Sequence, residues 1–404
     1  MSRLQEILSV LTRNRAYKEM TPQKLCRILE ELGPTYVKLG QIMATGSSVL
    51  PPAYCEALST LRTDVLPMPF DEVRAIVERE FGCALSVMFA DFDAEVLGSA
   101  SIAQVHHATL KSGQEVAVKV QRPGLREEIW EDIRLLRRMS RLLAVTPAKG
   151  VVDPDAILDD LWKATESELD FLREADQLEH FRMANAGHAD ASCPRVYRLW
   201  TTRHVLTMEY IDGIRLDDRQ TLLRSGHDLH RLLNRLCISY ADQVLTARYF
   251  HADPHPGNIL IRGDEIVWID LGLVGELSME DSLNLKKGIA AFVRMDAAAI
   301  AEVLIDMGSG EEPPDRNALI ADIEAALRLF RETPMNELSV REFLNLFLNA
   351  AKKNHITMPT GVTMLTRGVV VLKSIADTLE PDADLLTLLV PIASKLKLTE
   401  DETE

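Results

Sequence analysis

Apolar residues recur at helical spacing through the first ninety positions. Leu4, Ile7, Leu8 and Leu11 form one stripe. Thr21-Pro22 offers a cap and a first-turn proline for a second helix, and Gly33-Pro34 ends it. A third helix is expected from Thr35 to Thr45. Pro51-Pro52 and Pro67-Met68-Pro69 mark further breaks, and Asp71 is placed as the cap of a short helix ending before Gly82. Near residue 95 the period changes. EVLGSASIAQVHHATL, KSGQ and EVAVKVQR predict strand, turn, strand, turn, strand. Two long helical patterns follow, 125–144 and 154–186, then strands near 195–200 and 203–209. The chain is helical again over 216–249 and carries short strands at 258–261 and 265–269, joined by Arg262-Gly263-Asp264-Glu265. From about 279 it reads as helix, ending in the acidic tail TEDETE. No internal repeat is visible in the sequence.

Strands, a long helix, more strands and then a helical lobe with two short strands is the order of an α+β, protein-kinase-like two-lobed fold. The expected divisions are an N-terminal helical extension over 1–90, an N-lobe over 91–210, a C-lobe with a catalytic loop over 211–350, and C-terminal helices with the tail over 351–404.

Composition narrows the function. The 404 residues are 47% hydrophobic and 26% charged, a globular balance. The net charge of −16 argues against a broad nucleic-acid surface, which needs clustered cations. Cys26, Cys55, Cys83, Cys193 and Cys237 form no CxxC pair, so neither a zinc site nor a disulfide framework is expected. The N-terminus lacks the apolar core of a secretory signal. The most apolar long window, 361–379, contains Arg367, Lys373 and Asp377 and is too polar to span a bilayer. A cytoplasmic protein, at most peripheral at the inner face of a membrane, is expected.

The chemistry is concentrated in FHADPHPGNILI followed by IVWIDLG. Asp253 and Asn258 are five apart in a loop stiffened by Pro254 and Pro256, and Asp270-Leu271-Gly272 ends an apolar strand. Phosphoryl transfer uses this set: one carboxylate orients the attacking hydroxyl or water, while an amide oxygen and a second carboxylate hold Mg²⁺. Any one of these residues would fit a capped turn; the set matches HRDxxxxN and DFG in type and spacing. His251 and His255 in the same loop would suit a metal hydrolase, but no further histidine cluster completes a coordination shell. His251 is therefore expected to be a packed loop histidine. The sequence contains no GxxxxGK[ST], GxGxxG or HExxH.

Three further segments join this loop. In VAVKV, Val116, Val118 and Val120 share one strand face, and Ala117 and Lys119 the other. A lysine inside an apolar strand needs a partner; Lys119 suits the phosphate-contacting lysine, with Ala117 small enough for an adenine ring. The pattern 166–181 is read as one helix in which Glu168 interrupts an apolar stripe and Glu168 and Glu174 flank Phe171, with Glu166, Asp170 and Arg173 on a solvated face. TYVKLGQIMAT (35–45) places Lys38, Gly40 and Gln41 in a helix, where a glycine costs about 1 kcal/mol against alanine.

Together these segments resemble the AarF/UbiB family of atypical, protein-kinase-like proteins linked to ubiquinone biosynthesis, over roughly residues 20–380. The family's KxGQ motif is here Lys38-Leu39-Gly40-Gln41, and its ExD motif Glu168-Leu169-Asp170. Its alanine-rich loop is Gly98-Ser99-Ala100-Ser101, leading into Ile102-Ala103-Gln104-Val105. The resemblance implies that the KxGQ helix packs over the active site, with Lys38 near Glu168 and Gln41 nearby. It implies that Glu174 pairs with Lys119, that Asp253 is catalytic and that Asn258 and Asp270 hold the metal. Ala100, Ser101, Ala103, Ala117, Lys119 and Glu209 are expected to contact ATP or ADP, with Mg²⁺. The implied activity is that of an ATPase or atypical kinase with a small or lipid-like acceptor, often at membranes and with biosynthetic-complex partners. Two departures stand out. Gly98 and Ser99 replace alanines common in relatives, which bears on nucleotide preference, and the C-terminal membrane helices of several relatives are not matched. Peripheral attachment would use helix 1–16, where Arg3, Arg13 and Arg15 lie beside Leu4, Leu8 and Leu11, or the C-terminal helices; for both segments, packing on the lobes is the preferred reading. Two other readings stay open: a small-molecule kinase of the aminoglycoside or choline type, whose loop HGDxHxxN is close to HADPHPGN, and a nucleotide-switched lipid-binding scaffold.

Overall fold

Val116, Val118 and Val120 are fully buried on one face of a strand, while Ala117 and Lys119 occupy the other. The computed structural model describes residues 3–15, 18, 20–45, 51–59, 61, 66–143, 154–188, 190–310, 313–333 and 340–380. The acidic tail falls outside the described residues. The structure mixes helix with sheet in a kinase-like fold, and the chain divides into two units, 1–175 with 196–210, and 176–195 with 211–404.

The first unit opens with α1 (Arg3–Arg13), α2 (Pro22–Leu32), α3 (Pro34–Thr45) and α4 (Pro52–Ser59). Thr21 caps α2 by accepting from the Lys24 amide. Ile7, Val10, Ile28, Leu29, Leu32, Val37 and Leu58 pack into one core. The α1 stripe is rotated from the expected one. Ile7 and Val10 are buried, whereas Leu4 and Leu8 are 43% and 51% exposed. Arg3 sets this rotation: its guanidinium binds the buried Asp132 carboxylate at 2.7 and 2.8 Å and the Leu32 carbonyl at 2.7 Å, so positions 3, 7 and 10 face inward.

Next come α5 (Phe70–Phe81), α6 (Leu85–Met88), β1 (Phe89–Ser99), β2 (Ala103–Leu110), β3 (Glu115–Gln121), α7 (Leu125–Leu143), α8 (Pro154–Glu168), α9 (Phe171–Ala184), which ends in the second unit, and β4 (Val205–Glu209). Pro69, not Asp71, precedes α5; Asp71 sits in its first turn, where a carboxylate favours the helix dipole. β1 to β4 form an antiparallel sheet in that order, packed on Val73, Ile76, Val77 and Met88. β1 starts six residues before the expected change of period because register shifts between Phe89 and Gly98 break its alternation. Residues 198–200 form a single 3₁₀ turn rather than a strand, and Val196 makes only a bridge to Met208.

The expected single helix 154–186 is two helices. Asp170 breaks it by accepting from the Leu172 amide at 3.2 Å, which starts α9. The groups freed at the break are satisfied elsewhere: the Leu169 carbonyl accepts from the Gln121 side-chain Nε2 at 2.8 Å, and the Phe171 backbone amide donates to the Arg203 carbonyl at 3.1 Å.

The second unit contains β5 (Ile214–Arg215), α10 (Arg219–Arg224), α11 (Leu229–Asp242), β6 (Tyr249–His251), β7 (Ile259–Arg262), β8 (Glu265–Trp268) and β9 (Val274–Glu276). The helices α12 (Met279–Val293), α13 (Ala297–Met307), α14 (Arg316–Glu332), α15 (Val340–Lys353) and α16 (Thr360–Leu379) follow. The expected helix over 216–249 is interrupted: α10 stops at Ser225, and a π turn over 243–247 ends at Arg248, whose φ of +60° turns the chain into β6. β5, β7 and β8 form one small sheet, and β6 and β9 another. On these strands Trp268, Phe250, Ile259 and Val267 are fully buried. Among the described residues no helix is long and apolar enough to cross a membrane.

One pH dependence follows from the first unit. His106 is fully buried, bonded to the Asp93 carbonyl at 2.9 Å and to Gln104 at 2.8 Å. Burial lowers its pKa below the ordinary 6.5. A depressed histidine contributes stability that is complete above the unfolded-state value and is lost as pH falls from there through the folded-state value. Buried His251 acts in the same direction. Thermal unfolding at pH 5 is therefore expected at lower temperature than at pH 7.5, with a smaller drop for His106→Gln; an equal drop in the variant would remove His106 as a cause.

Candidate functional site

In the first unit the alternation of β3 turns Lys119 away from the valine core. Its Nζ lies 2.8 and 2.9 Å from the two Glu174 oxygens. The side chains are 16% and 6% exposed, so this pair is largely desolvated. Phe171 places its ring 5.2 Å from the same Nζ, a cation–π contact. The helix break matters here: Phe171 and Glu174 belong to the first turn of α9, whereas Glu168 is the last residue of α8. Glu168 and Glu174 therefore serve separate cations, because Glu168 forms an ion pair with Lys38 of α3.

Gly40, two residues from Lys38, is explained by packing. A Cβ there would come within 2.6 and 2.7 Å of Leu61 and Leu29 side-chain atoms. Gln41 donates to the Leu61 carbonyl at 3.1 Å. Glu166 pairs with Arg126 at 2.9 Å and Asp170 with Arg203 at 3.1 Å, so these two acids sit in surface ion pairs.

Between β1 and β2 the Ala100 amide closes a turn on the Ala103 carbonyl at 2.8 Å. Ala100 is exposed, Ser101 half-buried and Ala103 buried. Arg122 pins this loop, donating to the Ala100 carbonyl at 3.0 Å and the Ser99 hydroxyl at 2.7 Å. Ala117 pairs across with Met208, and Glu209, half-buried at the end of β4, pairs with Val116.

In the second unit the predicted catalytic loop is held by backbone bonds. The Ala252 amide donates to the Leu273 carbonyl at 3.0 Å, and the Ile269 amide to the Asn258 carbonyl at 2.8 Å. These two bonds tie the loop carrying Asp253 and Asn258 to the segment carrying Asp270. Asp270 has φ of +56°, and its Oδ1 accepts from the Gly272 amide at 3.3 Å. His251 is a packed loop residue: its backbone amide donates to Gln243 at 3.2 Å, and its Nδ1 accepts from the Asp253 amide at 3.2 Å. Desolvation lowers its pKa against the opposing fields of Asp270 and Asp253. His255 Nδ1 accepts from the Gly257 amide at 3.1 Å. Among the described residues no group of three histidines, cysteines or acids is placed to hold a metal. The Asn258 amide oxygen and the exposed Asp270 carboxylate are hard donors. Such a pair suits Mg²⁺, which keeps waters and takes phosphate oxygens for its remaining ligands.

Sequence reasoning missed three contributors. Phe171 is placed in the sequence only between Glu168 and Glu174, Arg122 carries no motif, and Arg367 of α16 donates to Asp253 Oδ2 at 2.8 Å from more than a hundred residues away.

Residues 60–304 match a family described as the ABC1 atypical kinase-like domain. A Clostridium pasteurianum protein described as uncharacterized, from the hydrogenase 1 5′ region, is 32% identical over 371 residues, covering 92% of this chain and 70% of its own. A protein of Marinobacter nauticus named "Probable protein kinase UbiB" is 33% identical over 373 residues, covering 90% of this chain and 68% of its own. A solved structure of a Mycobacterium tuberculosis protein in complex with erythromycin superposes with a TM-score of 0.55 over 93% of this chain and 98% of that one, at 23% identity. That last likeness concerns the fold alone.

Proposed function

The chain belongs to the ABC1 atypical kinase-like family, and from that premise we propose that it is an Mg-ATP-dependent phosphotransferase or ATPase of the UbiB type. The observation that carries this reading is the desolvated Lys119–Glu174 pair. A buried ion pair is a poor way to stabilise a sheet; a lysine pre-oriented for phosphate oxygens gives the arrangement a use. Lys119 would hold α- and β-phosphate oxygens, Glu174 would fix Lys119, and Ala100, Ser101, Ala103, Ala117 and Glu209 would line the nucleotide. Asn258 and Asp270 would carry Mg²⁺, which supplies neutralisation of the phosphate charge. Asp253 would orient an acceptor hydroxyl or a water. The acceptor oxygen would bond to the γ-phosphorus as its proton passes to Asp253, the bond to the β,γ-bridging oxygen would break, and ADP would leave with the electron pair. Lys38, Glu168 and Gln41 are assigned to nucleotide handling by the family resemblance, and the Lys38–Glu168 pair supports that assignment.

The finer reading is support of ubiquinone synthesis or lipid homeostasis, with a small or lipid-like acceptor, peripheral membrane contact and biosynthetic-complex partners. It rests on the resemblance and on the names of relatives. Quinone profiling of a host lacking the gene tests it, and normal quinones would remove it. Phosphate release measured with and without anionic lipid and phenolic compounds separates a turning-over enzyme from a nucleotide-switched scaffold.

The small-molecule kinase reading makes a different forecast for the N-terminus. Removing residues 1–60 strips Arg3 from the buried Asp132 and exposes the core formed with Leu135 and Leu136 of α7. Stranding such a carboxylate costs about 3 kcal/mol or more, and loss of the packed leucines adds to it. The truncated chain is expected to lose cooperative unfolding. A truncated chain that stays folded and keeps full turnover would favour the small-molecule kinase.

A further inference from the structure

The matched family region ends at residue 304, yet the carboxylate assigned to the acceptor is gripped from beyond it. Arg367, on α16, donates from Nη2 to Asp253 Oδ2 at 2.8 Å. The two side chains are 42% and 35% exposed. At that exposure an ion pair contributes little to stability, so the contact has to be judged by what it orients.

The seat of α16 is built closely. A Cβ on Gly368 would lie 1.8 Å from the Tyr240 hydroxyl, and one on Gly361 would lie 2.2 Å from the Glu276 carbonyl of β9. These glycines are seven residues apart, two helical turns, and so share one face. Any side chain at either position would lift the helix away. The contact made by Gly368 leads directly into the loop: the buried Tyr240 hydroxyl donates to the His251 carbonyl at 3.1 Å, and His251 Nδ1 accepts from the Asp253 amide at 3.2 Å. Asp253 is thus fixed twice, its backbone through Tyr240 and His251, and its carboxylate through the residue next to Gly368. Leu372, Ile375, Ala376 and Leu379 bury the rest of this face of α16.

We propose that Arg367 is a positioning residue for Asp253. By holding Oδ2 it sets the rotation of the carboxylate, so that Oδ1 is the oxygen presented to the attacking hydroxyl or water. The inference rests on the reading of Asp253 as the acceptor-orienting group. It makes the C-terminal helix part of the reaction machinery rather than an appended scaffold.

The test is steady-state Mg-ATP turnover and Mg-ATP thermal stabilisation of the full chain, for wild type, Arg367→Gln and Arg367→Lys. Glutamine is expected to lower kcat about tenfold through loss of orientation, with KM for Mg-ATP changed by no more than about twofold. Mg-ATP stabilisation should persist, because Lys119, Asn258 and Asp270 are untouched. Lysine restores a cation and is expected to recover at least about a third of the wild-type kcat. Wild-type kcat in Arg367→Gln overturns the proposal, as does a lysine variant no better than glutamine, or a loss that falls on KM instead of kcat. A wild-type chain with neither stabilisation nor turnover would instead bring down the phosphotransfer reading, and the role of Arg367 with it.

Discussion

Asp270→Asn is expected to abolish the stabilisation that Mg-ATP gives the wild-type chain and to lower turnover by about a thousandfold, the scale on which charge stabilisation acts in such sites. The argument starts from the backbone. Asp270 has φ of +56°, a conformation that asparagine tolerates and most residues do not. Asparagine therefore keeps the turn and removes the charge, while Asp270→Ala removes the charge and adds strain. Ligand present at a hundred times its Kd stabilises a folded chain by about 2.7 kcal/mol, which appears as a shift of several degrees in thermal unfolding. In both variants that shift should vanish when Mg²⁺ and ATP are present together. The alanine variant should also start from a lower melting temperature without ligand, and the asparagine variant should not. If both variants kept the full wild-type shift, Asp270 would not be the metal-holding carboxylate, and the assignment of its partner Asn258 would fall with it.

The parts of the fold that could be read in advance are those with strong local chemistry. The valine alternation placed β3 and sent Lys119 to the opposite face, and Thr21-Pro22 placed the start of α2. The segment ending in Asp270 was legible because an apolar strand runs into a glycine-containing turn. What was hidden depended on partners remote in sequence. The helix break at Leu169–Asp170 looks like continuous helix by period, since its cause is a side-chain bond to the Leu172 amide and a carbonyl satisfied by Gln121 from another element. The rotation of α1 depends on Asp132, 129 residues away from Arg3. The bulged start of β1 loses its alternation to register shifts that exist only against β2. Arg122 and Arg367 carry no motif, because what each does is decided by the backbone or carboxylate it meets. Their signals were indirect. Arg122 follows the β3 strand directly, and Arg367 is a cation beside a glycine in the middle of an apolar helix, where glycine is costly unless something approaches closely.

Glu174→Gln is expected to destabilise the first unit by about 3 kcal/mol, the cost of leaving a desolvated ammonium beside a neutral amide. Lys119 has lost most of its water, being 16% exposed, and the Phe171 ring lies 5.2 Å from its Nζ. Lys119→Met strands the more deeply buried Glu174 carboxylate, 6% exposed, and is expected to cost about as much. The double variant Lys119→Met with Glu174→Leu should recover most of the loss, since an apolar pair of similar volume needs no counter-charge. Denaturant unfolding of the four chains measures the two losses and their recovery in the double variant. Function should move in the opposite sense: the double variant, though stable, is expected to lose Mg-ATP turnover as completely as Lys119→Met. A stable double variant that still turned over Mg-ATP would mean that the pair serves the sheet alone. A Glu174→Gln chain as stable as wild type would mean that Lys119 never depended on its carboxylate. Stability and activity part company in this set only if the ion pair is kept for its use on phosphate rather than for what it adds to the fold.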